Sequence, residues 1–306
     1  MNAFPDPECI WDLKMQLGEG PVWSDAEQAL YFVDILGCRV HRFVPGTGTC
    51  SSWPAPARVS FIVPVAGGGF LCGLEDGLRR FDPVAGEFGP LHGIEPLLAS
   101  NRLNDGHVDA GGRLWFGTMH DPEEDATGSL YRLAGLSDHP EPVLVDTGYT
   151  VSNGPAIDAG RGRLYHNDSA RRLIFVFDWD EDGSLSNKRV FAELEHGYPD
   201  GIAIDTDGTL WVALFDGGGV QRFRPDGGAD GFVAFPCRHV TKIAFGDVDG
   251  RTAYVTTARK NQTAQALERQ PLSGGLFRFR VEVPGMPQHL FRTERPETTL
   301  GSAAPG

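Results

Sequence analysis

Six polar residues share one recurring position in this chain, and two of them are carboxylates. They are Glu19, Ser60, Asn104, Asn153, Asp200 and Lys242. Each stands eleven or twelve residues before a large residue inside a short apolar stretch: Tyr31, Leu71, Trp115, Tyr165, Trp211 and Tyr254. If the fold gathers them, Glu19 and Asp200 with the asparagine carbonyls make an all-oxygen site for a hard or borderline divalent cation. Without a cation the carboxylates would repel, and one would keep a proton. Two plainer readings compete. Asn and Asp at strand starts commonly cap turns, and the acids could pair with Arg102 or Lys242. A dry structural channel would carry Val, Ala or Gly at most of these places, so the recurrence of polar residues favours a site.

The elements that must position these residues form a repeat. The six large residues lie 40, 44, 50, 46 and 43 positions apart. A period of roughly 40–50 residues, about four short strands each, is the mark of propeller blades. The stretches LYFVD, RLWFG and TLWVA alternate with the period of two of half-buried strands, and helical periodicity is weak throughout. The predicted fold is all-β: a six-bladed β-propeller with four-stranded blades around a channel. The first strand of each blade faces that channel, so residues at its start converge on one mouth. CIWDLKM before the first copy and QHLFRTE after the last also have strand character. The ring is expected to close by pairing of N- and C-terminal strands, which removes an exposed edge. One domain is expected over residues 1–306, with an ordered core at about 8–292 and a frayed tail at 295–306.

Composition excludes several partners. Lys and Arg number 27 against 41 Asp and Glu, a net charge of −14 that disfavours nucleic acid and anionic membranes. The 40 glycines and 22 prolines, spread along the chain, suit tight turns. No run approaches the roughly 18 apolar residues of a membrane span, and the first twenty residues show no signal-peptide core. A cytoplasmic protein, monomeric or weakly homo-oligomeric, is expected. The five cysteines show no CxxC pairing and read as reduced thiols.

Other chemistry is scarce. The nine histidines lack HExxH spacing and are mostly expected at surfaces or turns. His120 is the exception, expected at the mouth because it ends a strand and opens an insertion. No GxSxG elbow, Walker loop or dinucleotide fingerprint is present. The inserted loop Asp121 to Thr127 reads either as a lid or as a solvated excursion.

The segments LGEGPVW, RLNDGHVDAGGRLWFGTMH, SNGPAID, LSNKRVF, YPDGIAID, LWVALF and AYVTTARK, in this order, resemble the SMP-30/gluconolactonase/regucalcin family. The resemblance runs from about Ile10 to Gln288. WDLKMQLGEGP, GTMHDPEED and TTARK look most similar to bacterial sugar-acid lactonases such as xylonolactonase. The resemblance implies one divalent metal ion (calcium, zinc, manganese, magnesium or iron) held by Glu19, Asn153 and Asp200. It implies that Arg102 and Asn104 contact substrate. An acidic residue after the GTM motif should do so too, with Asp121, Glu123 and Glu124 as candidates and Glu123 preferred. The expected reaction is metal-dependent hydrolysis of a pentono- or hexonolactone to the free sugar acid, with Asp200 as ligand, general base and later proton donor. A calcium-binding regulatory protein, or a promiscuous esterase or organophosphate hydrolase on the same metal site, are the alternatives.

Overall fold

The computed structural model describes residues 4–136 and 141–293, so the expected frayed tail at 295–306 lies outside the described residues. Six antiparallel sheets stand in a ring. Their inner strands are Gly18–Ser24, Val59–Pro64, Asn101–Val108, Ser152–Asp158, Tyr198–Ile204 and Val240–Gly246. Five of the sheets have four strands. Blade two ends instead in two strands of two residues each, Glu87–Phe88 and His92–Gly93. The ring closes as the sequence predicts: the N-terminal strand Glu8–Trp11 pairs antiparallel with Leu276–Arg280 of the last blade.

The six large residues mark the second strand of their blades: Ala29–Asp34, Phe70–Leu74, Leu114–His120, Arg163–Asp168, Leu210–Phe215 and Thr252–Thr257. All six are fully buried, and four have a polar tip anchored to an acid in the preceding turn. Tyr31 Oη donates to Glu27 at 2.8 Å, and Tyr254 Oη to Asp247 at 2.8 Å. The indole nitrogens of Trp115 and Trp211 donate to Asp109 at 2.8 Å and Asp205 at 2.9 Å. Each pair satisfies a polar group that would be costly to bury alone, and it fixes the turn between the first two strands. The repeat therefore reflects a local device as well as an apolar pattern.

The inner strands are irregular where the site residues sit. In blades one, three, four and five the pairing register shifts between Glu19 and Val22, Leu103 and Gly106, Asn153 and Ala156, and Pro199 and Ile202. A β-bulge leaves residues out of the ladder and re-aims their side chains. Glycine makes this possible at two places. Gly154 has φ +83°, where a side chain would be strained, and a Cβ on Gly201 would meet the Lys242 side chain at 2.2 Å.

The segment QHLFRTE is not a closing strand. From Met286 to Arg292 the chain crosses the end of the ring opposite the bulges. Met286 N bonds to Ile204 O, Phe291 N to Pro64 O, and Arg292 N to Gly112 O, each at 2.9 Å. Its strand character serves a strap that bridges blades five, two and three, and buries Phe291 completely. Among the described residues helix is confined to Ala264–Arg269 and the 3-10 turn Ala159–Arg161, and no described helix is long and apolar enough to cross a membrane.

Candidate active site

A cavity of about 400 Å³ opens at the bulged end of the ring. Glu19, Arg102, Asn104, Glu123, Asn153 and Asp200 line it, together with Leu17, Met119, Ser169, Tyr198, Phe215 and Lys260. Four of the six repeat-position residues thus meet in one wall. The other two turn away. Ser60 Oγ donates to Gly73 O at 3.1 Å inside its own blade, and the Lys242 ammonium pairs with Asp105.

Glu19 and Asp200 are buried and interact directly. Burial and the Asp105 charge push Glu19 up to about 7, although Lys242, Gly20 N and Asp200 oppose the rise. Burial, then the charges of Glu19 and Asp105, push Asp200 well above the carboxylate range. No cationic side chain forms an ion pair with either acid among the described residues, so neither proposed partner, Arg102 or Lys242, neutralises them. Two crowded, buried acids with cations nearby but none in an ion pair with them are what a cation site presents. The third donor is an amide, so no cluster of three His, Cys, Asp or Glu side chains is present among the described residues. Asn153 Oδ1 accepts from Asn104 Nδ2 at 2.9 Å and keeps a second lone pair. Two carboxylates and an amide oxygen therefore fit a divalent cation of the oxygen-binding kind.

Beside the acids runs a chain of hydrogen bonds. Arg102 Nη1 donates to Asn104 Oδ1 at 2.6 Å, and Asn104 Nδ2 to Asn153. Asn153 Nδ2 donates to Ser169 Oγ at 2.8 Å, and Ser169 Oγ to Pro199 O at 2.5 Å. The chain fixes the orientation of both amides, turning the Asn153 oxygen and the Asn104 nitrogen toward each other. Arg102 is further held by Asp121 at its Nε, 2.7 Å. Its Nη2 makes no hydrogen bond among the described residues and remains free to donate into the cavity.

The acidic candidates after the GTM motif separate clearly. Asp121 accepts from Arg58 at 3.0 and 3.1 Å as well as from Arg102. Partial burial alone would raise its carboxyl, but the hydrogen bonds from Arg58 and Arg102 hold it below its usual value. Glu123 lines the cavity and pairs with Lys260 at 2.5 Å, whereas Glu124 does not line it. His120, expected at the mouth, is placed differently. Its buried Nδ1 accepts from Asp125 N at 2.9 Å and Glu124 N at 3.3 Å, so it anchors the inserted loop from within and is not part of the cavity wall.

Of the histidines expected mostly at surfaces or turns, His196 is exposed and His92, His107 and His289 are half-buried, whereas His41, His120, His166 and His239 are buried. Burial lowers His41 to about 4 and His166 to about 3, so they pack as neutral rings. His239 stacks on the cavity residue Phe215 at 4.0 Å. His139 lies outside the described residues. The five cysteines are free thiols, as expected.

Sequence reasoning missed Asp105, Ser169, Tyr198 and Lys260. Asp105 had a signal, since it directly follows Asn104 and precedes a glycine. It accepts from Gly106 N at 2.7 Å and Gly154 N at 2.9 Å and holds Lys242 beneath the acids. Lys260 lies in the TTARK segment, where the sequence shows a motif without showing which way it faces.

The SMP-30/Gluconolactonase/LRE-like region profile matches residues 17–259. A 6-deoxy-6-sulfogluconolactonase of Pseudomonas putida is 38% identical over 93% of this chain and 98% of its own length. An L-arabinolactonase of Azospirillum brasilense is 35% identical over 90% of this chain and 92% of its own. A solved structure from Agrobacterium tumefaciens, described as regucalcin, a calcium-binding protein, superposes with a TM-score of 0.88. It is 26% identical and covers 95% of this chain and 98% of its own.

Proposed function

We propose a sugar-lactone hydrolase on this premise: the chain belongs to the SMP-30/gluconolactonase/LRE-like family. The observation that carries the proposal is the pair of buried, interacting acids, Glu19 and Asp200, beside the hydrogen-bonded Arg102–Asn104–Asn153 row. The names of the relatives point the same way, to aldonolactones of five or six carbons.

A divalent cation held by Glu19, Asn153 and Asp200 would polarise the lactone carbonyl and offset the negative charge developing on its oxygen. The remaining work falls to side chains. Asp200 Oδ takes a proton from the water that adds to the carbonyl carbon. As the ring C–O bond breaks, the same proton passes to the departing ring oxygen, leaving a hydroxyl and a carboxylic acid that then ionises. The free Nη2 of Arg102 and the oriented Asn104 amide hold sugar hydroxyls, and the pre-set hydrogen bonds reduce the entropy lost on binding. Tyr198 and Phe215 give the sugar apolar faces to lie against.

A second reading, calcium binding without turnover, is favoured by the all-oxygen donor set and by the description of the Agrobacterium structure. One experiment separates the two. The purified protein is assayed on a panel of pentono- and hexonolactones after chelation and after adding back each of several divalent ions. Hydrolysis that is lost on chelation and recovered with metal is expected. Full activity in protein shown to be metal-free overturns the metal role. Calcium binding by calorimetry with no turnover of any lactone selects the second reading.

A further inference from the structure

The cavity mouth is crossed by two insertions from opposite parts of the chain. The loop after His120 carries Glu123, and the segment after Thr257 carries Lys260. The two residues are 137 positions apart and meet in an ion pair at 2.5 Å, both on the cavity wall. The pair is not a casual surface contact. Glu123 sits at φ +64°, its amide donates to His120 O at 2.9 Å, and the loop around it is fastened at both ends. Asp121 is clamped by Arg58 and Arg102, and His120 Nδ1 receives the amides of Glu124 and Asp125. Glu123 therefore has little freedom to leave Lys260.

The other cations near the cavity also pair with acids of the protein, although Arg102 keeps its Nη2 free. Arg102 is bound to Asp121, and Lys242 below the acids to Asp105. Among the described residues, both cations lining the site, Arg102 and Lys260, already face a carboxylate of the protein. A lactone whose remote end reached this pair with a sulfonate, phosphate or carboxylate would bring its charge beside Glu123 and meet a Lys260 that is already paired.

We infer that Glu123 is a specificity-determining residue: by occupying Lys260 it selects lactones with uncharged tails, and Lys260 is a latent binding group for an anionic tail. The inference rests on the lactonase reading. Like-charge juxtaposition at a site is a recognised means of rejecting a wrong ligand, apart from any attraction for the right one.

The test compares kcat/KM for glucono-1,5-lactone and its 6-phosphate, in metal-supplemented wild type and in two single variants. The readout is the ratio of the anionic to the neutral substrate within each protein, so a general loss of activity or folding cancels. The wild type should favour the neutral lactone. Glu123→Gln should raise the ratio by about tenfold or more, by freeing Lys260 and removing a repelling charge. Lys260→Ala should move it the other way, because Glu123 then stands uncompensated. Added salt should shrink both shifts, since the pair is partly exposed. Ratios that stay fixed, or that move in the same direction in both variants, overturn the inference. Failure of both lactones to turn over with any metal strikes the lactonase reading instead.

Discussion

The two ends of the central channel are built from the same six inner strands, yet they differ in nearly every property. At one end the strands bulge, and the side chains that emerge are Glu19, Asn104, Asn153 and Asp200. Further along the same strands, a second cavity of about 280 Å³ is walled by Val22, Ile62, Ile202 and Ile243 and floored by Met286 to His289 of the strap. The first end is open, crowded with charge and held by side-chain hydrogen bonds. The second is largely apolar and held by backbone bonds across the ring. The difference shows how one repeat can serve two purposes. Regular pairing buries apolar residues and supplies stability, whereas the bulge sacrifices ladder bonds to aim polar groups at one point. The two ends should therefore respond differently to substitution, one through chemistry and the other through stability.

The largest effect is expected at Asp200. Asp200→Asn can still offer an oxygen to a cation but cannot take a proton, so kcat should fall by roughly 10²–10⁴. Glu19→Gln has no chemical step to lose and should first weaken metal affinity. Metal-titrated rates should then restore Glu19→Gln in part and leave Asp200→Asn nearly inactive. Equal rescue of both would show that Asp200 is only a ligand, and it would move the base elsewhere on the wall. If both variants lose only thermal stability, with no selective loss of rate, the bulged end is structural and the contrast between the ends disappears.

The opposite end offers the converse test. Phe291 is fully buried among Val63, Val65, Leu114 and their neighbours, under the strap. Phe291→Ala should cost about 3–5 kcal/mol through the cavity it leaves. Denaturant titration measures that loss. The kcat/KM of the folded variant, taken well below its melting point, should match the wild type. A drop in rate without a drop in stability would mean that the strap communicates with the site.

The smallest of the three effects sharpens the boundary within the polar end. Arg102→Ala removes the free Nη2 and the bond to Asn104, and leaves the three proposed metal-holding residues in place. A loss of about 1.5–3 kcal/mol, roughly ten- to a hundredfold in kcat/KM, is expected, with metal content unchanged by elemental analysis. Metal lost in step with activity would place Arg102 in the support of the cation site and not at the substrate.

The propeller was legible because its signals are local. Alternation over five residues around a large apolar or aromatic residue recurs with a period of 40–50 residues, and each copy can be read without the others; the acid four to seven positions before four of those residues, which the structure shows anchoring them, is equally local. The repeat also exposed Glu19, Asn104, Asn153 and Asp200, because ring symmetry turns equal positions in sequence into neighbours in space. It could not say that Ser60 and Lys242 turn away, since that depends on how the register shifts in each blade. There the irregularity is confined to Val59–Phe61 and Val240–Lys242, without the longer bulge of the other four blades.

What only the tertiary structure decided are the pairings between distant segments: Lys242 with Asp105, Lys260 with Glu123, and Asp121 with Arg58 as well as Arg102. Also in this group are the inward turn of His120 and the use of Met286 to Arg292 as a strap. In each case the sequence supplies a charged or amphipathic side chain that could face several ways, all compatible with the local strand pattern. The choice is made when the ring closes. Closure brings together groups more than a hundred residues apart in the two lysine pairs, and around Lys242 and Asp105 it also removes water, so that a charge left unpaired there would cost several kcal/mol.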